Sequence, residues 1–284
     1  MRQYRCRVLI ATLFALVFVA RPHAFEYPSS HAMSMGGITV LSHPSPTDIV
    51  ANPGLPMPEY SLGSEFGYVQ QYDLRDLDRL FLVGAAKYKS FTGGIGLAQL
   101  GKSELYSEKL IKGTLSYLVK DFCIGGSVSV LQVEFGGNYG RFSSVAMGAG
   151  VGYTRGPFRA HLSGDNLTAP KLFSSADPYQ RVGKAVFEWE TPRHLSTLVQ
   201  ATKTEKEQVR YGIGQRIPLK AGSALYWGVS TRPLEYGGGV DIGARWFTLT
   251  YAAKIHPVLG FSQTVSVSIL KRQKAHEAGE VEIK

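Results

Sequence analysis

His161 and Ser163 stand two residues apart in Phe158-Arg159-Ala160-His161-Leu162-Ser163, so on a strand their side chains share a face. A histidine beside a serine can turn a hydroxyl into a nucleophile, and hydrolysis of an acyl ester is what such a pair could do. A lipid hydrolase must present the pair to lipid. Alternation instead puts His161 and Ser163 on the polar face with Arg159 and Asp165, opposite Phe158, Ala160 and Leu162. The expectation is a polar network, with no catalytic residue and no enzyme. Nor is a metal or cofactor expected: Cys6 falls in the N-terminal leader, Cys123 then stands alone, and no Cys/His cluster has zinc spacing. The glycine-rich stretches 148–152 and 237–239 lack the strand–loop–helix setting of a phosphate cradle.

A larger set of charges shares the face of His161. Strand parity places Glu65, Lys112, Arg159, Asp165, Arg210 and Arg216 there. Buried charges are costly unless paired, so these side chains are expected to pair with each other, with another segment, or with water and anionic headgroups.

The elements that must position them are strands. From Tyr60 onward the chain breaks into segments of about ten residues with a period of two. Tyr60, Leu62, Phe66 and Tyr68 alternate with Ser61, Gly63, Glu65 and Gly67; Val145, Met147 and Val151 with Ser144, Ala146 and Gly150. Tyr211, Ile213 and Ile217 alternate with Arg210, Gly212 and Arg216; Val265 and Val267 with Ser266 and Ser268. The second face is too polar for a packed sandwich. It fits an all-β, closed antiparallel transmembrane barrel whose apolar residues face lipid and whose small and polar residues line the lumen. About fourteen strands are expected between residues 60 and 270. Odd-numbered connections such as 73–78 and 166–180 should be long and external, and even ones such as 120–121 short. The connections at 217–221 and at Arg232 fit that alternation poorly.

Composition agrees with a lipid-facing exterior: 32 glycines, 15 tyrosines and 19 % charged residues, against about 25 % charged in soluble domains. Arg2, Arg5 and Arg7 precede the uncharged run Val8–Ala20, which is too short to span a bilayer as a helix and has the pattern of a secretory signal. Cleavage is expected near Ala24. Losing residues 1–24 removes four arginines and leaves 27 basic against 22 acidic residues. No basic run with interleaved aromatics points to nucleic acid. Residues 25–59 are proline-rich and form either a lumenal plug or a periplasmic lead, with at most a short helix around His31–Met35. Residues 271–284 form a charged periplasmic tail.

Ala32-Met33-Ser34-Met35-Gly36-Gly37 followed by Asn52-Pro53-Gly54-Leu55 resembles the N-terminal signature of the FadL-like outer-membrane barrel superfamily, closest to the smaller PorV/PorQ-type barrels associated with type IX secretion. An alanine usual within Asn-Pro-Ala-Gly-Leu is missing here. His161 to Leu167 and Tyr251 to Val267 resemble the middle strand and last hairpin of the group, although Thr168 replaces a glycine. The resemblance implies a fourteen-strand barrel in the bacterial outer membrane whose N-terminal segment, with Met35, Gly36, Gly37, Asn52, Pro53 and Gly54, lines or plugs the lumen. It implies transport or secretion across that membrane, of a hydrophobic small molecule or of a secreted protein. The partners are then outer-membrane lipid and, on the second branch, a secretion-system or secreted protein. Short external loops favour the secretion-linked or scaffold branch, because capture of a lipid outside usually needs large loops. The His-x-Ser pair also resembles that of outer-membrane phospholipases and lipid A deacylases, but Gly164-Asp165 intervenes before Asn166.

Overall fold

The computed structural model describes residues 27–57, 60–102, 106–136, 140–172, 177–244 and 246–272. The expected signal segment 1–24 and the expected tail beyond residue 272 lie outside those residues. Fourteen antiparallel strands form one closed barrel in which each strand pairs with its neighbours in sequence. They are β1 (Tyr60–Gln70), β2 (Arg79–Tyr88), β3 (Phe91–Lys102), β4 (Tyr106–Val119), β5 (Phe122–Phe135), β6 (Arg141–Arg155) and β7 (Phe158–Asp165). The second half comprises β8 (Val182–Glu190), β9 (Ser196–Thr204), β10 (Arg210–Pro218), β11 (Ala224–Ser230), β12 (Glu235–Gly243), β13 (Phe247–His256) and β14 (Gly260–Arg272). β1 and β14 close the ring, from Gln70 opposite Gln263 to Tyr60 opposite Arg272. Closure pairs the backbone of every strand, which a sheet in hydrocarbon requires.

Period-two alternation sets which face each residue takes. Phe66, Leu82, Ile95, Leu115, Ile124, Met147, Leu162 and Ile242 are each more than half exposed on the outside. Aromatic rings gather at the end where β1 begins, here called the turn end: Phe91 packs on Tyr117 and Phe122 on Tyr153, at 4.7 and 4.9 Å between centroids. Phe158 and Trp246 lie at the same end, on the first residue of β7 and just before β13. An apolar band with an aromatic girdle is what a bilayer selects in a barrel. At the opposite, loop end, Leu172 and Tyr179, in the connection between β7 and β8, pack against the interior.

Three expectations need correction. Tyr60 does not join the lipid-facing set: a register shift between Tyr60 and Leu62 turns its ring inward, where Oη donates to the Pro44 carbonyl at 2.9 Å. β14 continues two residues beyond 270, because Lys271 and Arg272 still find partners on β1. The lumen is not uniformly small and polar. At the loop end of β1 to β6 the inward positions are Val69, Phe81, Val83, Ala98, Leu110, Leu131, Val133 and Ala146, all buried in one cluster. The poor fit of 217–221 has a structural counterpart in a 3-10 turn over Lys220–Gly222 that lengthens that connection.

Candidate functional site: a plugged lumen

Residues 27–57 run inside the barrel as a plug. Two short helices order it, α1 (Ser30–Ser34) and α2 (Pro46–Ala51). α2 starts for local reasons: Ser45 and Asp48 form a reciprocal capping box, and Pro46 occupies the first turn, where its missing N–H costs nothing. α1 is capped by Ser29, whose Oγ accepts from the Ala32 N–H. The remaining plug backbone follows the wall, so its polar groups need partners from strands.

Buried carboxylates supply several. Glu188 Oε2 accepts the N–H groups of Leu41 and Ser42 at 2.9 and 3.0 Å. Glu65 Oε2 accepts both the backbone N–H and the hydroxyl of Thr47, at 3.1 and 2.6 Å. His31 bridges plug and wall: Nδ1 meets Asp48 Oδ2 at 2.7 Å and Nε2 meets Asp241 Oδ2 at 3.1 Å, with the ring stacked on Tyr226. Burial alone favours a neutral imidazole. Tyr226, Asp241 and Asp48 outweigh it and raise the His31 pKa well above its ordinary 6.5. A protonated His31 then ties two carboxylates together.

The residues singled out in the sequence all lie in the plug or on the lumenal face. Met35 is fully buried at the C-cap of α1. The Gly36 carbonyl accepts from Arg210 Nη2 at 2.6 Å and from Ser230 Oγ at 2.8 Å, and Arg210 also pairs with Glu235. The Gly37 carbonyl accepts from Gln200 Nε2 at 3.0 Å. Asn52 donates to the Asp48 carbonyl at 3.0 Å, closing α2. Pro53 O lies 3.0 Å from His161 Nε2, and the Gly54 N–H donates to Ser116 Oγ at 2.9 Å. Asp165 pairs with Lys112 at 2.9 Å, and the same ammonium donates to the Ala51 carbonyl. Arg159 stands apart at the turn-end rim, paired with Glu190 at 2.6 Å. Arg216 also stands apart, with Nε 3.4 Å from Tyr226 Oη. His161 and Ser163 do not bond each other: one faces the plug, and Ser163 Oγ has no partner among the described residues.

Glycines make the fit possible. A Cβ at Gly150 would overlap the Pro53 carbonyl, one at Gly228 the backbone of Met35, and one at Gly237 the backbone of Gly36. Gly54 adds a positive φ of 86°, which an L side chain rarely adopts. Wall glycines on β6, β11 and β12 thus let the plug's main chain touch the sheet directly. The sequence left His31, Asp48, Glu188, Glu235 and Asp241 unmarked. Their signal was available in part: Glu188 lies between outward Phe187 and Trp189, and Asp241 between Val240 and Ile242, the parity of an inward charge.

No family model matches the chain, and no curated protein does. Solved structures do. The toluene transporter TodX of Pseudomonas putida superposes with a TM-score of 0.60 at 11 % identity, covering 89 % of this chain and 100 % of that one. A second TodX structure gives 0.55 at 10 % identity, with 86 % and 96 % covered. The outer membrane protein Omp33 of Acinetobacter baumannii gives 0.48 at 9 % identity, with 75 % and 98 % covered. At these identities the likeness is one of fold, the closed barrel that this chain shares with TodX.

Proposed function

We propose that the chain is a FadL-like outer-membrane barrel that admits a small hydrophobic substrate at its loop end and passes it along the plug. The observation that carries this is the apolar sector inside the lumen. Phe81, Val83, Leu110, Leu131 and Val133 face inward at the mouth, roofed by Leu172 and Tyr179 and met from below by Tyr27. A water-filled pore has no use for such a wall, since its inner face is polar. The sector is packed in one cluster with Tyr27 and Val50 of the plug, so a hydrophobic substrate would enter by displacing those side chains from an apolar wall of the kind that binding sites use. Tyr27 closes the sector, its hydroxyl donating to the Leu97 carbonyl at 2.6 Å. The TodX likeness supports a transport barrel, and toluene is named for that protein alone. The lumen's polar bonds are spent on holding the plug, which favours a carrier over an enzyme. The secretion-linked branch, with a partner protein at the rim, rests on the sequence resemblance and on the short external loops; the apolar sector favours uptake.

The test is initial uptake of radiolabelled toluene and of glucose by intact cells whose outer membrane carries the chain. Toluene uptake should rise several-fold over cells without the barrel, and glucose uptake should not. Leu131→Asn, which puts an amide in the sector, should abolish the rise while the protein still changes gel mobility on heating. Equal toluene uptake with and without the barrel would sink the proposal.

A further inference from the structure

Arg216 differs from Arg159 and Arg210 in having no carboxylate partner among the described residues. Only its Nε is engaged, weakly, by Tyr226 Oη at 3.4 Å, and Nη1 is buried with no partner. The residue is 8 % exposed. It lines a cavity of about 160 Å3 at the turn end of the lumen, together with His31, Tyr226, Asp241, Thr248 and Ser268. We propose that this cavity binds a small oxyanion, a carboxylate or phosphate group, with Arg216 as its principal contact.

The neighbouring carboxylate cannot serve Arg216 instead. Asp241 Oδ2 already accepts from His31 Nε2 and Tyr226 Oη, and Oδ1 accepts from Thr250 Oγ1 at 2.7 Å. Asp241 is thus satisfied by three donors while the guanidinium beside it is not. An unpaired buried guanidinium is costly, and an oxyanion is the ligand whose geometry matches its paired N–H groups. Thr248 and Ser268 add hydroxyls on the cavity wall that can donate to further oxygens. The volume is ample for a compact group: one water needs roughly 10–15 Å3 by the same measure, so phosphate or acetate fits with room for waters beside it. The site sits where β1 begins and β14 ends, away from the apolar sector, and it does not depend on the hydrocarbon uptake proposed above.

The experiment is equilibrium dialysis of the full chain in neutral detergent micelles at fixed ionic strength. The probes are radiolabelled inorganic phosphate, radiolabelled acetate, and phosphatidylglycerol added to the micelles as a competitor. Saturable binding near one ion per chain is expected, weakened at least tenfold by Arg216→Gln and less by Arg216→Lys. Thr248→Tyr, which fills the cavity and keeps the charge, should lose binding as well and decides the matter if Arg216→Gln fails to assemble. Displacement of the ion by phosphatidylglycerol identifies a lipid headgroup as the source; no displacement identifies a free anion. Absence of saturable binding in the wild type, or binding undiminished in the variants that assemble, overturns the proposal.

Discussion

At the scale of single residues, the lumen concentrates its energy in a few buried charges whose loss should be uneven. Lys112 is 1 % exposed and holds both Asp165 and the Ala51 carbonyl. Lys112→Met leaves Asp165 without its cation and should cost about 3–5 kcal/mol, while adding Asp165→Leu should recover most of that loss. Unfolding of the detergent-solubilised barrel in denaturant measures both. His31 gives a pH dependence with a definite sign. Its pKa is raised in the folded state, so its contribution is fully present below its ordinary value of 6.5 and is lost as pH rises through the higher folded value. Stability should therefore fall between neutral and alkaline pH, and His31→Phe should flatten that fall. A wild-type profile flat from pH 6 to 10 would show that His31 is not held protonated.

At the scale of elements, the plug is ordered by caps and by the wall glycines that admit it. Ser45→Ala removes half of the capping box of α2 and should destabilise by about 1 kcal/mol. Gly228→Val drives a side chain into the backbone of Met35 and should cost more, about 1–3 kcal/mol by the usual toll of overpacking. Calorimetry of both variants would rank them. The strands were legible because Ser266 and Ser268 against Val265 and Val267 is a local pattern, and alternation is enough to assign a face. Segment 25–59 was legible as proline-broken, yet its choice between plug and lead was not. That choice turns on meetings such as Leu41 with Glu188, which lie far apart in the chain and leave no local trace. The apolar sector escaped for a related reason. In Leu80-Phe81-Leu82-Val83 both faces are apolar, so alternation of polarity is missing and parity says nothing about an apolar lumen. Arg210 was readable as an inward charge, whereas its bond to the Gly36 carbonyl needed the plug in place.

At the scale of the whole molecule, the outer surface is matched to lipid and the inner one to the plug. Met147 sits near the middle of β6 and is 53 % exposed on the outside. Met147→Arg should cost about 2–4 kcal/mol in a bilayer, as a charge does at the midplane of a barrel wall. In unfolding measured from lipid vesicles, a loss under 0.5 kcal/mol would contradict the lipid-facing assignment. The plug also has a consequence for the order of events in assembly. Ser30 bonds Ser266 on β14, His31 bonds Asp241 on β12, and Thr39 bonds Gln200 on β9. The first described residues of the chain thus depend on partners 161 to 236 residues further along it. Thr47 bonds Glu65 on β1 and Ser30 bonds Ser266 on β14, so the plug touches both sides of the closing seam. Seating of the plug and sealing of the seam between β1 and β14 should therefore assist each other. Long-range closures of this kind are slow, so a weakened plug should show first as delayed maturation. The heat-resistant form of Ser45→Ala should appear later than that of the wild type, even where the finished barrels are almost equally stable.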